Sequence, residues 1–196
     1  MKSWVLGWVV VLAVAVLTQS AQARPHHEGF TGDLGIGLAL TFKPEYSETI
    51  CGGISPGCVP GVTTSHQGEW GLAPLSLSLG GWVSPKVALL ARATGTSYFR
   101  GGDQISNNFY GAAVEVWPIN AFYLSGGVGF GIYGPNPIFS RSSLSPQTGF
   151  ALDFRVGAAL AQGTNHDFTL SFEAIPGFYD GDSVTGLALV GAWKWY

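Results

Sequence analysis

Seven charged side chains stand out because the stretches around them carry almost no other charge: Asp33, Arg92, Glu115, Asp153, Arg155, Glu173 and Lys194. Each falls at an alternate position in a run whose intervening positions are apolar, so all seven belong to the face turned away from the greasy side chains. Four acids and three bases brought into a narrow enclosure must pair, because an isolated buried charge is very costly. Asp33 and Lys194 lie at opposite ends of the patterned region and meet only if its first and last segments are neighbours. Such a set has two chemical uses. It is a plug of salt bridges filling a bore, or it is a path for protons or ions through a gated pore; the pattern favours the plug.

Other chemistry is sparse. His26, His27, His66 and His166 fall in a polar leader, a loop and a turn, and none is spaced with a Ser nucleophile and an orienting acid as acyl transfer needs. His66, with Ser65 beside it and Glu69 nearby, comes nearest. His26 stands third after the expected cleavage point, but Pro25 lacks the amide proton that an amino-terminal copper site requires. Gly129 to Gly134 match G-x-G-x-x-G, yet Pro135 and Pro137 follow where that fingerprint needs a helix. Asp180-Gly181-Asp182 begins like a calcium loop and lacks the remaining ligands. No catalytic residue, metal or cofactor is expected. Cys51 and Cys58 close the segment CGGISPGC, and an even, close pair in an exported chain is expected to form a disulfide. A metal site there would lack a third and fourth ligand. Closing so small a ring stabilises a loop by roughly 2–3 kcal/mol on the chain-entropy model.

The elements that must position these residues alternate with a period of two. In GFTGDLGIGLALTF, residues 29–42, Phe30, Leu34, Ile36, Leu38, Leu40 and Phe42 face one way, and Thr31, Asp33, Gly35, Gly37, Ala39 and Thr41 face the other. Comparable runs cover 68–80, 87–99, 108–117, 121–133, 148–162, 168–175 and 184–196, which makes eight strands. In the second run Trp70 and Leu72 are out of step with Leu75, Leu77 and Leu79, so a bulge is expected near Pro74. Long connections (43–67, 100–107, 134–147 and 176–183) alternate with short ones throughout, as in bacterial outer-membrane barrels. Ten or more residues tilted by about 40° cover roughly 25 Å, the height of an apolar band. Aromatics near the strand ends, among them Phe30, Trp82, Trp117, Trp193, Trp70, Phe99, Phe109 and Tyr133, suit the two headgroup layers.

Bulk properties agree. The chain has 196 residues, enough for one domain, and only 11% are charged against roughly 25% in an ordinary soluble protein. A formal charge of −3 gives no basis for nucleic-acid binding. Lys2, the apolar run 4–17 and Ala21-Gln22-Ala23 read as a signal peptide over 1–23, followed by a short leader, 24–28, and a barrel over 29–196. A soluble barrel with the bulky set inward would show water a face of Gly, Ala, Ser and Thr with hardly a charge, a poor soluble surface. The fold expected is all-β: an eight-stranded antiparallel up-and-down transmembrane β-barrel.

With that signal peptide, the GFTGDLGIGLALTF opening and the aromatic end GAWKWY, the chain resembles the small bacterial outer-membrane β-barrel family of the OmpA/OmpX/OmpW type over 29–196. The resemblance implies an outer-membrane location and contact with membrane lipid and with barrel-insertion machinery, which reads a terminal aromatic such as Tyr196. It does not choose a task, since members anchor, adhere, resist host factors or pass small hydrophobic molecules. The expectation is a monomer with a structural or interaction role, presenting outward loops for adhesion or as part of an envelope assembly for transport or motility. Cys51, Cys58, Ile138 and Phe139 lie on its candidate contact loops. A narrow channel for ions or small hydrophobic solutes is the alternative, and a lipid-modifying enzyme the third.

Overall fold

The computed structural model describes residues 28–43, 68–100, 103–135 and 145–196. The signal peptide, the leader as far as residue 27, His66, both cysteines, Ile138 and Phe139 lie outside the described residues. Eight strands follow in order: β1 Phe30–Phe42, β2 Glu69–Ser84, β3 Val87–Arg100, β4 Asp103–Ile119, β5 Phe122–Pro135, β6 Gln147–Gln162, β7 His166–Tyr179 and β8 Asp182–Trp195. Each pairs antiparallel with the next, and β1 pairs with β8, closing the barrel. Closure sets Asp33 of β1 directly opposite Lys194 of β8 and, on its other side, Ser78 of β2.

The two faces divide as the period of two requires. Leu34, Ile36, Leu38, Leu89, Val128, Phe154 and Leu189 are exposed on the outside, while Thr31, Ser76, Arg92, Thr94, Glu115, Asp153 and Glu173 are buried in the bore. An outer surface this apolar is stable against hydrocarbon and unstable against water. The bulge in β2 is present. Its register to β1 shifts between Gly35 and Gly37, and its register to β3 shifts between Leu72 and Ser76. Pro74, which has no amide to give the ladder, sits within that irregularity. The extra residue lets Trp70 and Leu72 share the outer face with Leu75 and Leu79 despite their opposite parity.

Two of the expected long loops are strand. Residues 103–107 pair with the end of β3, Tyr98 opposite Ile105 and Arg100 opposite Asp103. Residues 176–179 pair with 182–185, leaving a tight connection at Asp180-Gly181, where Gly181 takes φ +78°. These segments are polar or contain Pro and Gly, but each strand has a partner at hand to take its backbone hydrogen bonds, and that outweighs weak intrinsic preference. The strict alternation of long and short connections therefore fails. The connections β3–β4 and β7–β8 are short, while 43–68 and 136–146 separate their strands widely in sequence.

Candidate functional site: a filled bore

The inward side chains form three layers. The middle one is ionic. The Arg155 guanidinium, on β6, reaches across the bore with Nη1 3.0 Å from Asp33 Oδ2 and Nε 2.7 Å from Glu173 Oε1. Its Nη2 donates to Ser76 Oγ at 2.7 Å. Arg92, on β3, lies 2.8 Å from Glu173 Oε1 through Nη2 and 3.1 Å from Asp153 Oδ2 through Nε. Lys194 Nζ is 2.6 Å from Glu115 Oε1 and 3.4 Å from Asp33 Oδ2. Hydroxyls complete several of these carboxylates: Ser78 donates to Asp33 at 3.1 Å and Thr94 to Glu173 at 2.9 Å. The structure thus places all seven charged residues in one connected cluster, each at most 3% exposed.

Towards the short turns the bore is closed by aromatics. Trp117 and Tyr123 stack with centroids 4.9 Å apart, beside Ala159 and the partly buried Trp82. This layer also touches the charges. Trp117 Nε1 donates to Glu115 Oε1 at 2.7 Å, and Lys194 Nζ lies 5.5 Å from the Tyr123 ring centre. Tyr123 fits because its cross-strand neighbour is Gly157, where a methyl group would collide with the phenol ring. Below, Tyr196 follows the end of β8, donates its hydroxyl to Asp167 Oδ2 at 2.5 Å and stands 6.0 Å from Trp82.

On the side of the long connections, Phe109, Ala151 and Ile175 form an apolar collar above the charges. Over it lie Tyr98, Tyr133, Tyr179 and Asn107. The Tyr98 and Tyr133 hydroxyls are 3.2 Å apart, the Tyr179 hydroxyl donates to Asn107 Oδ1, and the Asn107 amide donates to the Ile175 carbonyl at 3.1 Å. Gly177 gives the Tyr179 ring its room: a Cβ there would lie 2.5 Å from the phenol oxygen.

This filling corrects the aromatic assignment. Trp117, Phe109 and Tyr133 are buried in the bore, and Trp82 is partly buried against its clusters, whereas Phe30, Trp70, Phe99 and Trp193 are exposed on the outer face. Parity carries the signal. Trp117 and Phe109 are out of step with the outward Tyr110, Val114 and Val116 of the same strand. Asp167 is strand rather than turn and pairs opposite Lys194. His166, also in β7, stacks on Trp193 with centroids 4.5 Å apart at the outer rim of the wall. The glycine run 129–134 is strand β5, and the space at Gly131 is taken by the Tyr179 hydroxyl.

No protein-family model matches the chain, and no curated protein matches it in sequence. Solved structures do. Neisserial surface protein A superposes with a TM-score of 0.61 at 14% identity, covering 87% of this chain and 99% of that one. The fold is that of a small outer-membrane β-barrel. More distant likenesses to this barrel are Ail, the attachment invasion locus protein of Yersinia pestis, at TM-score 0.48, 15% identity and coverage of 85% and 99%. OprG of Pseudomonas aeruginosa follows at 0.43, 13%, and coverage of 89% and 100%.

Proposed function

We propose that this chain is a non-conducting outer-membrane barrel that anchors and displays its long connections, 43–68 and 136–146, to other envelope or surface components. One observation carries the reading: the bore is filled at three successive levels by aromatic, ionic and again aromatic side chains. The cysteine pair Cys51 and Cys58 and the apolar pair Ile138 and Phe139 fall within those connections and are the contact residues assigned here. The apolar outer wall supports an outer-membrane location, as does the likeness to a neisserial surface protein. A lipid-modifying activity gains no support from His166, which stacks on Trp193, and His66, the histidine nearest a Ser, lies outside the described residues.

The tests are conductance and capture. Purified barrel in a planar bilayer is expected to give no steady single-channel steps, and regular steps would overturn the closed-bore reading. Crosslinking in intact cells, with Ile138→Ser/Phe139→Ser and Cys51→Ser/Cys58→Ser variants beside the parent, is expected to lose adducts in the variants. Adducts unchanged in every variant would remove these loops from the proposal.

A further inference from the structure

One part of the outer wall departs from the apolar rule. The parity that turns Tyr110, Ala112 and Val114 outward on β4 also turns Ser106 and Asn108 outward, and on β3 it does the same for Ala91, Ala93, Gly95 and Ser97. Asn108 is paired with Gly95 of β3 and Ile132 of β5, and Ser97 with Ser106 and with Leu72 of β2. This polar notch is ringed by apolar side chains. Leu72 and Ile132 flank it, Tyr110 and Ala93 lie below, and Phe99 and Trp70 stand exposed at the rim above. Asn108 is level with Gly95, four residues below Phe99, which at about 3.3 Å per residue and a tilt of about 40° is roughly 10 Å. At that depth acyl chains, not water, surround the wall.

An amide in hydrocarbon needs partners for its donors and its acceptor. Asn108 Nδ2 donates to Ser106 Oγ at 3.1 Å, and Ser97 Oγ donates to the Leu72 carbonyl at 3.4 Å. Asn108 Oδ1 has no hydrogen-bond partner among the described residues, and the side chain is partly exposed. The amide lies over Gly95, where a Cβ would collide with that oxygen. Directly below the notch the wall is hollow. Leu77 and Leu79 on one side, and the stacked rings of Tyr110 and Phe130 with centroids 5.4 Å apart on the other, bound an open groove of about 520 Å³ floored by Ala91 and Ala93. That volume is in the range of roughly 300–1,000 Å³ common to small-ligand sites.

We infer that this face holds one lipid with an amide-linked acyl chain, from the leaflet on the side of the long connections. The chain lies in the groove, and the amide N–H donates to Asn108 Oδ1. The unpartnered atom selects this chemistry: it is an acceptor, and an ester linkage offers acceptors only. A second copy of the chain fits less well. A two-fold axis along the membrane normal, the only one that keeps both barrels upright, sets hollow against hollow and leaves the groove unfilled. The site depends on the membrane-facing wall and is independent of what the long connections bind.

The experiment uses the folded full-length mature chain in neutral detergent micelles, with bound lipid counted by native mass spectrometry as its mole fraction rises. The probes are two synthetic single-chain sugar lipids with chains of equal length, one joined through an amide and the other through an ester. The parent is expected to bind the amide-linked lipid at a half-saturating fraction roughly three- to tenfold below that of the ester-linked one, the range that one hydrogen bond supplies. Asn108→Leu is expected to bind both lipids alike, at the level the parent shows for the ester. Ala93→Trp fills the groove and is expected to weaken both lipids several-fold while keeping their ratio. Both substitutions lie on the outer face, away from the packing of the bore. Equal binding of the two lipids by the parent overturns the inference. So does a preference that survives in Asn108→Leu, or binding undiminished in Ala93→Trp. A parent that is a dimer in micelles and becomes a monomer in Ala93→Trp assigns the groove to a second copy and overturns it as well.

Discussion

The belt of charge at mid-bore and the aromatic layers on either side close the same space by opposite means. The belt is held by mutual need, since each carboxylate is buried only because a guanidinium or ammonium stands against it. The aromatic layers are held by shape, with rings laid across glycines and hydroxyls directed at single partners. A network of the first kind fails when any member is lost, because what remains is a stranded charge. A packed layer of the second kind degrades in proportion to the volume disturbed. The two modes should therefore respond differently to single substitutions.

The largest effect is expected at the hub. Arg155→Met leaves Asp33 and Glu173 short of their main counter-charge and should cost about 3–5 kcal/mol in urea unfolding of the micelle-bound barrel. Arg155→Lys should recover only part of that, since an ammonium cannot reach Asp33, Glu173 and Ser76 as the planar guanidinium does. Next comes a charge on the wrong side of the wall: Leu38→Arg, on the exposed outer face, should cost roughly 2–4 kcal/mol in lipid vesicles. The shape-held layer should yield less. Gly157→Ala pushes a methyl group into the Tyr123 ring and should cost about 1–3 kcal/mol, with Tyr123→Leu in the same chain relieving most of it. The smallest effect belongs to the Thr41–Thr96 hydroxyl pair, 2.9 Å apart, where Thr96→Val should cost about 0.5–1.5 kcal/mol. Should Gly157→Ala prove costlier than Arg155→Met, the contrast between the two modes is wrong.

Much of the wall could be read from residue order alone, and the reason is the bilayer-like outer face. A band of bulky side chains at every second position leaves the period of two unobscured, so Asp33, Arg92 and Glu173 are conspicuous as inward charges. The Pro74 bulge was legible for the same reason, as a slip between two sets of outward residues. The aromatic layers were not. A Trp or Tyr near a strand end suits a headgroup layer and a bore equally well, and Trp117 and Tyr133 differ from Trp70 and Phe99 only in parity. The strand ends at 103–107 and 176–179 were hidden for a related reason: where a wall stands clear of the apolar band, its residues need no greasy face and read as loop. Which carboxylates Arg155 would reach, Asp33 and Glu173, depends on distances across the bore, which pairing patterns do not supply.

Closure of β1 on β8 also decides how anything else may attach. Among the described residues every strand already spends its backbone donors and acceptors on two neighbours, so the barrel wall leaves no lone edge for a visiting peptide to extend by strand addition. At that wall a binding protein, or another copy of the chain, must be recognised by side chains and connecting segments, and the closed wall itself gives templated fibre growth no starting point.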